Sequence, residues 1–312
     1  MAEGNFTSVS EFLILGLTDD PILRLIFFLI FLLVYSVTIM GNLCIIMLIR
    51  VSSQLHTPMY LFLSHLAFID IWYSTSVTPE MLKGFLVGRD TISYAGCAAQ
   101  LCSAFAFGTS EGILLAMMAY DRYVAICNPL FYAISMSNRV CVQLITVSYV
   151  GGCLNALVFT TFVFNLVFCG PDEIDHFFCD FPPLMEISCS DIHLIQTLSS
   201  ISAAIIILST VPTIIISYVY ILCAIMRIQA SDGRQKAFST CASHLTAVIL
   251  YYGTITFTYV QPSSSRSLEQ NKIVSLFYTV VIPMLNPLIY TLRNKDVKRA
   301  LMKIMGKNAS SW

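Results

Sequence analysis

Residues Met118–Cys127 read MAYDRYVAIC, and this stretch decides how the rest of the chain is interpreted. Asp121 and Arg122 stand side by side in it among apolar residues, at the end of a run that is hydrophobic enough to lie in lipid. Charged side chains at such a place are costly and usually functional. The stretch alone allows two interpretations, a switch or simply the polar end of a helix. The remainder of the sequence has to decide between them.

The composition excludes a water-soluble protein. Of the 312 residues, 57% are hydrophobic and only 11% are charged, whereas a soluble domain carries about 25% charged residues. The class is therefore an integral membrane protein. The formal net charge of −1 gives no reason to expect a nucleic-acid partner. The first residues carry Glu3 and Glu11 and no early basic residue, so we expect the first apolar run to stay as an anchor rather than to be cleaved as a signal peptide.

Seven apolar runs each provide the roughly 20 residues that a helix needs to cross the hydrocarbon core. They are too long and too continuous for the alternating strands of a membrane β-barrel. We therefore predict an all-α membrane protein, a bundle of seven transmembrane helices over residues 25–292. The predicted helices cover residues 25–49, 58–82, 96–120, 140–164, 196–226, 237–260 and 273–292.

The distribution of lysine and arginine predicts the orientation. With the N-terminus outside, twelve of the 17 basic residues fall on the inner side and five on the outer side, which the positive-inside rule favours. Residues 1–24 then form an extracellular tail, in which Asn5 begins a glycosylation sequon. Residues 165–195 form a long outer loop, and residues 293–312 form a cytoplasmic tail. An apolar stripe in that tail predicts a short amphipathic helix on the inner membrane surface; the alternative is a frayed basic tail.

Four of the eleven cysteines face outward in this topology, namely Cys97 and, in the long loop, Cys169, Cys179 and Cys189. The exterior is oxidising, so we expect pairing, and four cysteines allow three connectivities. The loop is longer than an ordinary connection. Its length and its three cysteines indicate a structured lid over the bundle rather than an inert connection.

Two carboxylates are expected deep in the membrane. Asp70 in helix two and Glu111 in helix three each lie roughly 22 Å below the outer end of their helix, at about 1.5 Å per residue. A charge near the centre of a helix costs about 2.5–3.5 kcal/mol, so the pair needs a proton, a cation or polar neighbours, for which Asn42 and Asn286 are candidates. Two explanations stay open, a bound sodium ion or protonated carboxyl groups. We expect no other cofactor.

Several short motifs occur in order along the seven predicted helices. They are Gly41-Asn42, LHTPMY at Leu55–Tyr60, MAYDRYVAIC, Ser217-Tyr218, KAFSTCASHL at Lys236–Leu245 and PMLNPLIY at Pro283–Tyr290. With this set, nearly the whole chain resembles the olfactory receptor family, in its tetrapod-type class II branch, among the rhodopsin-like (class A) G-protein-coupled receptors.

The resemblance implies an odorant receptor in the plasma membrane of olfactory cilia, with an odorant, a heterotrimeric stimulatory G protein and membrane lipid as its partners, and with cAMP as its output. It implies the disulfides Cys97–Cys179 and Cys169–Cys189. It also implies that Asp121 holds Arg122 until activation. Helix six then swings outward, and the G protein meets Arg122. The residues assigned to this switch are Asp121, Arg122, Tyr123, Tyr218, Lys236, His244 and Tyr290.

The ligand pocket is predicted in the outer half of the bundle. Helix three carries no carboxylate between Cys102 and Thr109, so a cationic amine would lack a counter-ion. An apolar cavity with few hydroxyl groups suits a small, neutral, volatile molecule. Any one of these residues could equally be a packing residue. The predicted ligand-binding set is Ala104, Phe105, Gly108, Thr109, Ser202, Ile206, Tyr252, Ile255, Tyr259, Tyr278 and Thr279.

Two positions depart from the family pattern. Tyr149 stands where many members have Trp in helix four, and we expect it to change packing only. Glu80 stands where many members have Lys or Gln, and its carboxylate is expected either to reach the upper pocket or to face the adjoining loop.

An enzyme or a transporter is not supported. The five histidines are scattered and show no metal-binding spacing. Two membrane carboxylates are too few for the charge relay of a transporter. We therefore predict a receptor without catalytic residues.

Overall fold

A computed structural model describes residues 10–169, 172–227, 231–260, 268–293, 295–304 and 306. Within these residues, seven long helices pack into a bundle. They are α1 Pro21–Val51, α2 Pro58–Val87, α3 Tyr94–Cys127, α4 Asn138–Phe164, α5 His193–Arg227, α6 Ser231–Val260, and α7, which comprises Leu268–Leu276, the π-helical turn Phe277–Val281, and Ile282–Arg293. Helix α3 continues past its predicted end because Asp121 and Arg122 are buried against neighbouring helices and therefore do not terminate it.

The helices meet the lengths that a membrane requires. Five are long and apolar enough to cross it, namely Pro21–Val51, Tyr94–Cys127, Asn138–Phe164, His193–Arg227 and the stretch Gln270–Tyr290 of α7. Helices α2 and α6, at 30 residues each, are also long enough, and both contain charged residues. In α2 the most costly polar group, Asp70, is fully buried inside the bundle. The outer faces expose large apolar side chains such as Leu33 and Leu208, as a lipid-facing surface does.

Helices α3 and α4 approach each other closely at Gly152. A Cβ atom built on Gly152 would lie 2.3 Å from the backbone oxygen of Ala106 and 2.2 Å from Ser110 Oγ. The hydroxyl of Ser110 donates to Ala106 O at 2.7 Å and also reaches Ser148 O at 3.1 Å. Small residues at such a crossing let two membrane helices approach and share hydrogen bonds.

A small β-sheet covers one end of the bundle, which we call the lid end. Strand β1 (Glu11–Ile14) pairs antiparallel with β2 (Asp90–Ser93) and parallel with β3 (Glu173–Ile174). Phe12 is fully buried and its ring packs against the ring of Phe168. The segment predicted as an extracellular tail thus contributes the central strand of a sheet.

The loop between α4 and α5, which we call the lid, is held by the two disulfides that the family resemblance implies. Cys97 at the start of α3 is bonded to Cys179, with a Cα–Cα distance of 5.4 Å. Cys169 is bonded to Cys189 inside the lid, with a Cα–Cα distance of 5.8 Å. The lid also contains the short helix Phe181–Glu186.

The opposite end, which we call the DRY end, carries the motif Asp121-Arg122-Tyr123 and a short terminal helix. This helix, α8 (Lys295–Ile304), buries Val297 and Ala300 and exposes Lys298 and Arg299. It is the amphipathic helix that the apolar stripe predicts.

We expect Gly152→Ala to lower the amount of folded receptor at the cell surface. The added methyl group meets the α3 backbone, which cannot rotate away, and overpacking of this kind costs about 1–3 kcal/mol. The measurement is surface immunolabelling together with the melting temperature of the purified protein.

Gly151→Ala is the matched control, because its added methyl group would meet only the end of the Ile113 side chain, at 3.0 Å. Equal loss in both variants would show that the close approach at Gly152 does not stabilise the bundle.

Candidate ligand cavity and switch region

A cavity lies between the helices on the lid side of the bundle. Of the described residues that line it, none is charged. The lid lies close to it, since Phe181 of the lid packs edge-on against the ring of Phe105 in the cavity wall, at 6.2 Å between centroids. Eight of the predicted ligand-binding residues line the cavity: Ala104, Phe105, Gly108, Thr109, Ser202, Ile206, Tyr252 and Ile255.

Two of the predicted ligand-binding residues lie elsewhere. The Tyr278 hydroxyl donates to Asp180 Oδ2 of the lid and also lies 2.8 Å from Ser275 Oγ. Thr279 is fully buried and donates to Ser275 O at 2.7 Å. Their hydroxyl groups are therefore taken by the lid and by α7 itself, and they are not among the residues that line the cavity. The side chain of Tyr259 lies outside the described part of the chain.

Helices α2 and α4 contribute to the cavity although no ligand-binding residue was predicted on them. The seven lining residues that sequence reasoning missed are Tyr73, Asn155, Phe159, Ser199, Ala203, Ile207 and Tyr251. For Asn155 a signal existed in the sequence, because a lone amide within an apolar stretch of a membrane helix must find a partner inside the bundle.

Below the cavity, α6 is attached to α3 through backbone carbonyl groups. Tyr251 donates its hydroxyl proton to Gly108 O, and Tyr252 donates to Gly112 O at 2.9 Å. Each of these carbonyl oxygens has a second lone pair beyond its helical hydrogen bond. A Cβ atom on Gly112 would lie 3.0 Å from the Tyr251 ring, so glycine makes this approach possible.

A third bond of the same kind lies one turn further towards the DRY end. His244 of α6 is fully buried, and its Nε2 lies 3.1 Å from Leu115 O. Because a carbonyl oxygen can only accept, Nε2 carries the proton, and Nδ1 accepts from the Tyr218 hydroxyl at 2.7 Å. His244 therefore joins α3, α5 and α6.

The DRY end places the basic side chain of the motif inside the bundle. Arg122 is only 4% exposed and interacts electrostatically with Tyr218, Tyr290 and His244. Asp121 Oδ1 accepts a hydrogen bond of 2.9 Å from the hydroxyl of Tyr132, in the short helix Tyr132–Ser135.

Two tyrosines and a lysine complete the predicted switch set. The ring of Tyr123 packs against Tyr220 of α5, at 5.6 Å between centroids. The Tyr290 hydroxyl is buried, and none of the described residues forms a hydrogen bond with it. The side chain of Lys236 and the whole of Asn5 lie outside the described residues.

The two membrane carboxylates meet at one amide. Asn286 Nδ2 lies 3.1 Å from each carboxylate oxygen of Asp70, and Glu111 is close enough to interact electrostatically with Asp70. Glu111 Oε1 and Asn286 Oδ1 are buried, and neither has a hydrogen-bond partner among the described residues. Asn42, the other candidate neighbour, instead donates to the backbone oxygens of Thr38 and Pro283.

Glu80 faces the loop and does not line the cavity. Its carboxylate lies 3.5 Å from the Lys83 ammonium group, which also pairs with Asp90 of β2 at 2.9 Å. About half of the Glu80 side chain is exposed.

The lid is attached to α7 by charged and polar contacts. Lys272 forms an ion pair with Asp175, next to the contact between Asp180 and Tyr278. Between these two contacts, His176 is buried with its ring stacked on Phe177, at 4.5 Å between centroids. Burial, together with the nearby Lys272 charge, lowers the pKa of His176 to about 3.

Seven membrane helices with a cavity near one end and a buried arginine at the other are the architecture of a G-protein-coupled receptor. The family model described as Olfactory receptor matches residues 31–308. Olfactory receptor 5P76 of Mus musculus is 60% identical over 311 residues, which is 100% of this chain and 99% of that protein. Olfactory receptor 5p57 of Mus musculus is 61% identical over 307 residues, 98% of both chains.

The chain belongs to the olfactory receptor family. The resemblance drawn from its motifs is confirmed. It is therefore a multi-pass plasma-membrane receptor for odorants that couples to G proteins, and not an enzyme.

We expect mild acid to loosen the lid through His176. Because its folded pKa of about 3 lies below the ordinary 6.5, the unfolded lid binds a proton that the folded lid does not. The contribution of His176 to lid stability is thus fully present above its ordinary pKa of 6.5 and decreases as the pH drops below that value. Between about pH 7.5 and pH 5.5 the free energy of unfolding of the lid should fall by about 1.4 kcal/mol. Hydrogen exchange of the lid amides should therefore become about tenfold faster.

His176→Gln should remove most of this pH dependence, whereas the neighbouring titratable groups Asp175, Glu186 and Lys272 stay in place. Hydrogen exchange followed by mass spectrometry at the two pH values, corrected for intrinsic rates, provides the measurement. The same pH dependence in the variant and in the wild type would show that His176 is not the responsible group.

Proposed function

We propose that this receptor binds a small, mostly apolar, neutral volatile molecule in the cavity between α3, α4, α5 and α6, and that it then activates a stimulatory G protein and raises cAMP. The observation that carries the proposal is the uncharged cavity lying directly above the hydrogen bonds that attach α6 to α3. By resemblance, the receptor acts in the cilia of olfactory sensory neurons, with its lid end outside and its DRY end in the cytoplasm.

The walls of the cavity support a neutral ligand. None of the described lining residues is charged, and Phe105 and Phe159 stack at 5.5 Å between centroids to form an aromatic wall. A charged ligand would lose its hydration there without gaining a counter-ion. This desolvation costs far more free energy than the desolvation of a neutral ligand. Pockets with few directing polar groups suit small apolar molecules.

The contacts of α6 support a mechanism for transmission. Tyr252 and Ile255 line the cavity, and the Tyr252 hydroxyl is bonded to Gly112 O. An odorant that binds better when this bond is broken shifts the receptor towards the state with α6 released from α3. Release of α6 also disturbs the His244 contacts, so Arg122 becomes accessible to the G protein, whose binding stabilises the same state.

We further propose that Asp70 and Glu111 share one positive charge, either a sodium ion or a proton. The buried oxygens Glu111 Oε1 and Asn286 Oδ1 lack donors among the described residues, and oxygen ligands suit a hard cation. Among the described residues, no group of three or more His, Cys, Asp or Glu side chains could hold a metal ion. A cation here would therefore depend on amide oxygens as well as on the two carboxylates.

Replacing external sodium by N-methylglucamine distinguishes a bound sodium ion from a shared proton. If sodium is bound, basal cAMP and odorant potency should change in the wild type and stay constant in Asp70→Asn. Sodium-independent signalling in both proteins would contradict the cation and leave the shared proton.

We expect Arg122→Ala to abolish the odorant-evoked cAMP rise while the protein still reaches the cell surface. The reason is that the proposed contact with the G protein is lost, whereas ligand binding on the lid side is unaffected. The assay is cAMP in cells that express the full chain and receive a chemically diverse odorant panel, with surface labelling as the expression control.

Arg139→Ala is the matched control, because Arg139 is an exposed arginine at the same end of the bundle. Its response should equal that of the wild type. A normal cAMP response in Arg122→Ala would contradict the proposed output site.

A further inference from the structure

Three helices share one polar group in the cavity wall. Asn155 of α4 donates from Nδ2 to Thr109 Oγ1 of α3 at 2.9 Å. The Ser202 hydroxyl of α5 donates to Asn155 Oδ1 at 2.7 Å. All three residues line the cavity. Asn155 is therefore the centre of a hydrogen-bonded chain that faces the ligand space.

Two tyrosine hydroxyl groups of the cavity wall are already engaged. The hydroxyl groups of Tyr251 and Tyr252 donate to backbone carbonyl groups of α3. A ligand that used them would have to break the attachment between α6 and α3.

The amide of Asn155 has hydrogen-bonding capacity left. A carboxamide offers two N–H donors and two acceptor lone pairs, and its contacts with Thr109 and Ser202 use one oxygen site and one N–H. If the amide oxygen and nitrogen are interchanged, one N–H still remains unused, because the hydroxyl groups of Thr109 and Ser202 can each donate or accept. One N–H therefore remains on a side chain that is half-buried and lines the cavity.

We propose that Asn155 is the specificity-determining residue of this receptor and that its remaining N–H selects odorants with a carbonyl oxygen, namely ketones, aldehydes or esters. A carbonyl oxygen needs only this one donor. An alcohol would bury a donor of its own as well, which needs a second partner at the same time. The inference rests on the proposed function, because it assigns the ligand class of the same cavity.

The hydrocarbon part of such an odorant fits the remaining walls. Phe105, Phe159 and Ile206 surround the polar group with apolar surface. The carbonyl group would then be fixed at α4, and the chain would extend towards Ile255 on α6. Recognition at α4 and release of α6 are in this way two separate contacts of one ligand.

The test uses 2-alkanones, 2-alkanols and n-alkanes of equal carbon number, applied to cells that express the full-length receptor, with cAMP and surface labelling measured together. In the wild type, the ketone should be about tenfold more potent than the matched alkane, as one hydrogen bond provides. Asn155→Leu should raise the ketone EC50 about tenfold and leave the alkane response unchanged.

Thr146→Val is the matched control. Its hydroxyl lies on the exposed face of α4 and donates within its own helix to Val142 O at 2.8 Å. The control should shift neither ligand. If Asn155→Leu does not reach the surface, the potency order ketone, alcohol, alkane in the wild type still tests the proposal.

Two results would overturn this proposal alone. One is a wild type that answers other odorants but ranks the alkane or the alcohol above the ketone. The other is an Asn155→Leu variant that loses ketone and alkane potency equally. A receptor that reaches the surface and answers no odorant would instead overturn the proposed function on which the inference rests.

Discussion

The structure depends on the hydrogen bonds that α6 donates to the backbone of α3. Inside a bundle surrounded by lipid, a polar side chain can be satisfied only by another part of the bundle. Tyr252 and His244 find their partners in the carbonyl groups of Gly112 and Leu115. These bonds close the bundle beneath the cavity and keep Arg122 inside it. In the proposed mechanism, breaking them opens the DRY end.

Helix α3 links the proposed ligand site to the proposed output site. The cavity residue Gly108 and Arg122 lie fourteen residues apart on it, which is about 21 Å along one helix. In the proposed mechanism the helix itself need not change shape, since α6 is the element that moves. The tight α3–α4 contact at Gly152 and the disulfide at Cys97 fix α3 against the rest of the bundle. With α3 fixed, the proposed movement of α6 would make the pair a two-state element that a ligand can bias.

Much of the fold could be predicted from the sequence because membrane helices are set by length and hydrophobicity alone. Strand β1 could not, since a segment as short as Glu11–Ile14 becomes a strand only through partners far away in the chain. Eight cavity residues were predictable from the family resemblance. Tyr278 is not among the residues that line the cavity, because its hydroxyl binds Asp180, a lid residue whose position no helix pattern gives. Asn155 was missed for a related reason, since its role depends on which face of α4 meets α3 and α5.

The most direct test of the account is the distance between α4 and α6 at the DRY end, measured by double electron–electron resonance. Spin labels at Arg139→Cys and Phe238→Cys, both exposed positions, report it in a background without the exposed cysteines Cys44, Cys153 and Cys223. We predict that an activating odorant together with the G protein lengthens this distance. A distance that stays constant while cAMP signalling proceeds would contradict the release of α6 from α3.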